Sequence, residues 1–259
     1  MNFIKITHDG HITTICLNNP LKHNALSHSL VTEVMESFQQ LESVNSRVVI
    51  LRAQANSKVW SAGHDVNELP TDGRDPLGWN DPLRELVRSI ENCHAPVIAM
   101  IDGGVWGGAV EVVLACDIII ATPSSSFAVT PAKLGVPYNV SGMMTFMSAA
   151  SLRIVKELAF TATPISAERA ERVGMINHVI ETGQIEAFTL AMAETIAANA
   201  PLSISVMKEQ LRVLAGAKPL TPRGFEKVQG LRRVVYDSQD YKEGIRAFKE
   251  KRKPRFNGT

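Results

Sequence analysis

The stretch Val97-Ile98-Ala99-Met100-Ile101-Asp102-Gly103-Gly104-Val105-Trp106-Gly107-Gly108-Ala109-Val110-Glu111 carries the reading of the whole chain. Pro96 introduces an apolar run with the pattern of a strand buried on both faces. A glycine-rich turn follows, and a helix is expected to open near Gly107. A strand that runs into such a turn leaves backbone N–H groups beyond its C-terminal end, the edge where α/β sheets bind ligands. The first N–H groups of a helix have no acceptor within the helix, and glycine lets a ligand come close to the backbone.

Upstream, Ser61-Ala62-Gly63-His64-Asp65 also places a glycine after a strand and a short loop. Either turn alone reads equally as a close strand–helix packing turn. The spacing Gly103-Gly104-x-x-Gly107-Gly108 matches a dinucleotide-binding fingerprint only loosely, and no later strand offers an acidic residue at the required distance.

Working outward, Phe3 to Thr7 and His11 to Leu17 read as strands joined by the Asp9-Gly10 turn. Ser27 is placed to cap a helix reaching about Leu41, with Leu30, Val31, Val34, Phe38 and Leu41 at helical spacing. Val48 to Ala53 is a second doubly buried strand, Leu83 to Cys93 a helix, and Asp117 to Ala121 another strand. Between them, residues 68–82 hold three prolines and two glycines and read as a long surface loop of the kind that forms lids. Strands alternating with helices predict a largely parallel sheet with crossover helices. Beyond Ser151 the pattern turns almost wholly helical, over 152–160, 166–173, 184–199, 203–215, 222–236 and 238–249. The expected fold class is therefore α/β, an α/β core over 1–200 followed by a helical region over 201–259.

The totals exclude several functions. With 259 residues, 45% hydrophobic and 20% charged, the chain can bury a large core, which argues against disorder. A net charge of +1 gives no electrostatic case for nucleic acid or a membrane surface. The apolar stretch from Val97 to Ala121 is interrupted by Asp102, Glu111 and Asp117, so it does not read as a membrane span. Cys16, Cys93 and Cys116 have no CxxC spacing, which argues against a zinc site or a disulfide framework. No metal is expected. With no secretory signal at the N-terminus, a cytoplasmic protein is expected.

Taken together, these segments resemble the crotonase (enoyl-CoA hydratase/isomerase) superfamily. The resemblance rests on Asn18-Asn19-Pro20 through Asn24-Ala25-Leu26, Trp60 to Asp65, Gly103 to Glu111, Cys116-Asp117, and Phe127 through Leu134-Gly135. It ends on Ser238 through Phe248 and Lys251 through Phe256. It implies a spiral core of β-β-α turns with a C-terminal helical region, assembled as a homotrimer or a dimer of trimers. It implies an acyl-CoA substrate with no separate cofactor, coenzyme A being part of the substrate. It implies an oxyanion hole made by the N–H groups of His64 and Gly108. Coenzyme A would lie along Lys22, Ala25 and Leu26 and along Ala62, Gly63, His64, Asp65 and Val66, with Lys251 at its phosphates.

The departures from the family pattern bear on the reaction. Hydratases of the superfamily use two glutamates; the first maps onto Glu111, and the second falls on Pro131, which cannot activate water. His64 replaces a small residue, and Thr130 and Tyr138 add hydroxyls. This set, together with the loop through Gly73-Arg74-Asp75-Pro76-Leu77, resembles superfamily members that decarboxylate. The expected reaction is loss of CO₂ from methylmalonyl-CoA through a thioester enolate, giving propionyl-CoA. His64 and Thr130 are expected to hold the carboxylate, and Tyr138 to orient it or relay a proton. Glu111 stays open between a catalytic and a structural role, because an acidic residue suits the first turn of a helix anyway. Two alternatives remain: an enoyl-CoA isomerase or hydratase with Glu111 as its single acid/base, and an acyl-CoA-binding scaffold without turnover. Trp60 and Trp106 read as walls, and His8, His11, His23, His28, His94 and His178 as surface residues.

Overall fold

The computed structural model describes residues 2–55, 57–70, 75–215 and 222–256. Strands β1 (Ile4–Asp9) and β2 (Ile12–Leu17) form the expected antiparallel hairpin. After helix α1 (His28–Gln40), β3 (Val48–Ala53) pairs parallel with β2. The chain then makes a short strand, β4 (Val59–Ser61), and helix α2 (Pro82–Glu91). The same unit repeats as β5 (Val97–Ile101), β6 (Gly104–Trp106) and α3 (Gly108–Leu114). It repeats again as β7 (Ile118–Ala121), β8 (Ser126–Ala128) and α4 (Val140–Ala149). Each turn of this β-β-α spiral gives one strand to each of two sheets. The larger has the order β1-β2-β3-β5-β7-β10 and the smaller β4-β6-β8-β9.

The smaller sheet departs from the single sheet read from the sequence. Its strands are two or three residues long, too short for an alternating pattern to register. The region after Ser151 is also less purely helical than expected. Among helices α5 (Leu152–Thr161), α6 (Ala167–Arg172) and α7 (Ile185–Ala197) lie β9 (Ile165–Ser166) and β10 (His178–Val179). Helix α4 lies outside the expected set; Asn139 caps it by accepting the Gly142 N–H at 2.6 Å. Helix α2 opens one residue earlier than expected, because Asp81 caps it and Pro82 occupies its first turn.

The apolar runs in β3 and β5 follow from burial on two sides. One face packs into the main core with Leu30, Val34, Val87 and Val110. On the other, Val48, Ile50, Ile98 and Met100 meet Ile185 and Ala193 of α7. Trp60 is wholly buried and donates its indole N–H to the Met100 carbonyl at 3.0 Å, tying the two sheets together. Among the described residues, no single helix is long and apolar enough to cross a membrane.

Helices α8 (Pro201–Ala215), α9 (Pro222–Tyr236) and α10 (Gln239–Lys249) complete the chain. Helices α9 and α10 hold the loop before α2 and the turn before α4. Tyr241 donates its hydroxyl to the Pro70 carbonyl at 2.7 Å, and the buried Arg232 donates to Asp75 Oδ1 at 2.6 Å. Tyr236 donates to the Pro137 carbonyl at 3.1 Å. Residues 71–74 of the expected lid, Gly73 and Arg74 among them, lie outside the described residues.

The turn from Asn18 to Leu26 is stitched to β4 by one side chain. Asn24 is buried, accepts the Asn19 N–H at 2.8 Å and donates to the Trp60 carbonyl at 2.9 Å. Its φ of 49° lies in the left-handed region, which asparagine tolerates better than alanine. Asn24→Ala removes both bonds and adds backbone strain, so it is expected to destabilise the protein by about 2–4 kcal/mol. A urea titration of native and variant protein measures the difference.

Candidate active site

Two backbone turns meet at the C-terminal ends of β4 and β6, which pair in parallel. In the first, the Leu26 N–H donates to the Gly63 carbonyl at 2.8 Å and the Ala62 N–H to the His23 carbonyl at 2.9 Å. In the second, the Gly107 N–H donates to the Ala128 carbonyl at 2.8 Å. These bonds fix the chain on either side of two N–H groups that have no acceptor among the described residues, those of His64 and Gly108. Gly63 has φ of +84°, and a Cβ there would lie 2.8 Å from the Gly108 nitrogen. Glycine is thus required both for the backbone conformation and for the close approach of the turns.

The two turns form one end of a narrow cavity of about 60 Å³. That is room for only a few water-sized groups, so it suits a short acyl chain. Val66, Leu69, Leu77, Leu83, Leu134 and Val136 make its apolar wall. Thr130, Pro131 and Tyr138 add the remaining side. The Tyr138 hydroxyl is shut off from solvent and has no hydrogen-bond partner among the described residues. Burial pushes its pKa well above the ordinary 10, against the pull of the nearby Arg84 charge, so it stays a phenol that can donate. The ring stands edge-on to Phe146, with centroids 5.1 Å apart. Thr130 borders Gly107, where a Cβ would lie 3.1 Å from its hydroxyl oxygen.

His64 lines the cavity, but both of its ring nitrogens are engaged. Nε2 lies 2.9 Å from Asp81 Oδ2 and Nδ1 lies 3.2 Å from the Asp65 carbonyl. Burial alone would lower its pKa; the hydrogen bond and charge of Asp81 outweigh that, helped by the Asp65 carbonyl and Glu68, and hold it above 6.5. The His64 ring, expected to hold the substrate carboxylate, has Asp81 and the Asp65 carbonyl as its partners among the described residues. Among the described residues, the side-chain hydroxyls at the cavity without a partner are those of Thr130 and Tyr138.

Glu111 is wholly buried in α3, where Oε1 is ion-paired with Arg84 Nη1. It does not line the cavity. Its Oε2 has no partner among the described residues. Asp81 and Arg84 escaped the sequence reading. The signal for Asp81 was available: an aspartate before a proline at the start of an amphipathic run is a helix cap. Nothing local to Arg84 points to Glu111, which lies 27 residues away.

All but Lys251 of the residues expected to meet coenzyme A lie in or beside the same turns. Lys22 is exposed, with Nζ 3.7 Å from Asp65 Oδ2, and Leu26 bridges to His64. Asp65 also accepts the Asn67 N–H at 3.0 Å. Ala25 donates its N–H to the Lys22 carbonyl at 3.0 Å. Lys251 follows α10, away from the cavity lining. Trp60 belongs to the core, while Trp106 is partly exposed. Of the remaining histidines, His8, His23, His28 and His94 are exposed and His11 and His178 half-buried.

Removing one member of a buried ion pair strands a charge, at a cost of about 3–5 kcal/mol, whereas replacing both with apolar groups is often neutral. Glu111→Leu alone is expected to destabilise by that amount, and adding Arg84→Met to restore most of it. Unfolding free energies of the two single variants and the double variant check this.

Residues 7–259 match the enoyl-CoA hydratase/isomerase family. The methylmalonyl-CoA decarboxylase of Escherichia coli (strain K12) is 48% identical over 256 residues, covering 99% of this chain and 98% of that protein. The fold of a solved methylmalonyl-CoA decarboxylase in complex with 2-nitronate-propionyl-CoA is similar with a TM-score of 0.97 at 48% identity, covering 99% of each chain. A second, complexed with 2S-carboxypropyl CoA, gives a TM-score of 0.98 at 47% identity, covering 100% of this chain and 99% of that one. The two glycine turns, the β-β-α spiral and these likenesses have one reading: the chain belongs to the enoyl-CoA hydratase/isomerase family.

Proposed function

We propose that this protein is a carboxy-lyase that converts methylmalonyl-CoA to propionyl-CoA and CO₂. The observation that carries the reading is the chemistry of the cavity wall. None of the described residues lining it is an aspartate or glutamate, and Glu111 is closed off by Arg84. Hydration and isomerisation need a base there, and decarboxylation does not. The family match and the 48% identical decarboxylase support the same reading.

The breaking bond joins the α-carbon to the carboxylate. Its electron pair moves into the thioester as an enolate, CO₂ leaves, and the α-carbon then takes a proton. The developing charge sits on the thioester oxygen, and the N–H groups of His64 and Gly108 act as its oxyanion hole. A pre-organised donor of this kind contributes about 2.7–4 kcal/mol to the transition state. The Thr130 and Tyr138 hydroxyls hold the leaving carboxylate out of the enolate plane, and Tyr138 is placed to relay the proton. Coenzyme A, the handle of the substrate rather than a cofactor, runs along Lys22, Ala25, Leu26 and the turn from Ala62 to Val66, with Lys251 at its phosphates.

The helices beyond residue 200 serve as a separate assembly and roofing region. Leu202, Val206, Leu211 and Leu214 of α8 are exposed, which supports assembly as a homotrimer or a dimer of trimers. The three cysteines are unpaired, in keeping with a reducing, cytoplasmic setting.

Purified protein supplied with methylmalonyl-CoA is expected to release CO₂ and to form propionyl-CoA. Hydration of crotonyl-CoA without CO₂ release sinks the proposal. Tyr138→Phe removes a hydrogen bond to a charged group, so kcat is expected to fall about 10- to 100-fold. Full turnover by that variant removes Tyr138 from the mechanism.

A further inference from the structure

Asp81 makes two contacts from one carboxylate. Oδ1 accepts the Leu83 N–H at 3.0 Å and so caps α2. Oδ2 faces His64 Nε2 at 2.9 Å. Two residues on, Leu83 packs against the place where a side chain on Gly108 would sit, with Cδ2 2.7 Å from an ideal Cβ. One residue further, Arg84 pairs with Glu111 in α3. The first turn of α2 thus touches both halves of the oxyanion hole. The acceptors on either side of the His64 ring demand a proton on each nitrogen, since a carboxylate and a carbonyl cannot donate. The charged groups acting on the ring are Asp81, at the cap of α2, and Glu68, from the turn after the oxyanion loop, while Asp65 meets it through its backbone carbonyl and Arg84 of α2 acts on Asp81. Lys22 lies beyond Asp65, and the Tyr138 hydroxyl lies on another wall.

We propose that Asp81 is a positioning residue of the reaction, locking the His64 ring as a doubly protonated imidazolium at the edge of the oxyanion hole. The enolate then forms beside the imidazolium of this ion pair as well as between two N–H donors. The catalytic part of this inference rests on the decarboxylase reading; the lock itself is a property of the protein without substrate.

Two variants separate this role from helix capping. Asp81→Asn keeps the cap but presents an amide N–H to Nε2, which favours a neutral ring protonated only on Nδ1. Asp81→Ser keeps a capping oxygen and does not reach His64. His64 titration is followed by NMR of its Cε1–H signal, assigned by its loss in His64→Gln. In both Asp81 variants the midpoint is expected to fall. The alkaline limb of the kcat/KM profile should move down in pH with it. A kcat reduced about tenfold or more with KM within about twofold is the expected split. An unchanged His64 midpoint, or a kcat in both variants within about twofold of native, overturns the proposal. If the native protein releases no CO₂, the decarboxylase reading falls, while the titration still decides whether Asp81 locks the ring.

Discussion

The site depends on two stretches of backbone meeting with no side chain between them. Gly63 supplies the positive φ and the missing Cβ that let the first turn lie against the Gly108 nitrogen. The pairing of β4 with β6 sets the depth of that meeting. Every other feature serves the contact: Asn24 anchors the approach to one turn, and Ala128 anchors the other. A donor pair built from main chain cannot be moved by a rotamer change, so it stays in place as the charge of the reaction appears. This is what pre-organisation requires.

In the proposed role, such a donor pair would serve any thioester enolate and leaves the reaction open. The surrounding side chains narrow it. Where a hydratase would hold a second glutamate, the chain has Pro131, and the remaining carboxylate, Glu111, is neutralised by Arg84. A wall whose described residues include no free carboxylate suits a reaction whose electrons come from a breaking carbon–carbon bond.

Much of this was legible in the sequence, for identifiable reasons. The apolar runs of β3, β5 and β7 and the periodic face of α1 are long enough to show their periods, so the larger sheet and its crossovers could be read. The glycine turns announced themselves through residues that a plain strand or helix would not use. The smaller sheet stayed hidden because three residues show no alternation. Arg84 stayed hidden because its meaning depends on a partner in another helix. His64 lines the cavity as read, but its Asp81 partner stayed hidden, because that carboxylate lies 17 residues away in a loop read as a cover.

The anchors of that cover have a consequence for the order in which the molecule is completed. The Asp75–Arg232 bond spans 157 residues and the Pro70–Tyr241 bond 171. Contacts closing loops of that length are entropically the most demanding and tend to form late. A chain emerging from the ribosome carries both donor turns well before it carries the helices that roof them. The floor of the cavity is therefore synthesised early, and enclosure waits for almost the full length of the polypeptide.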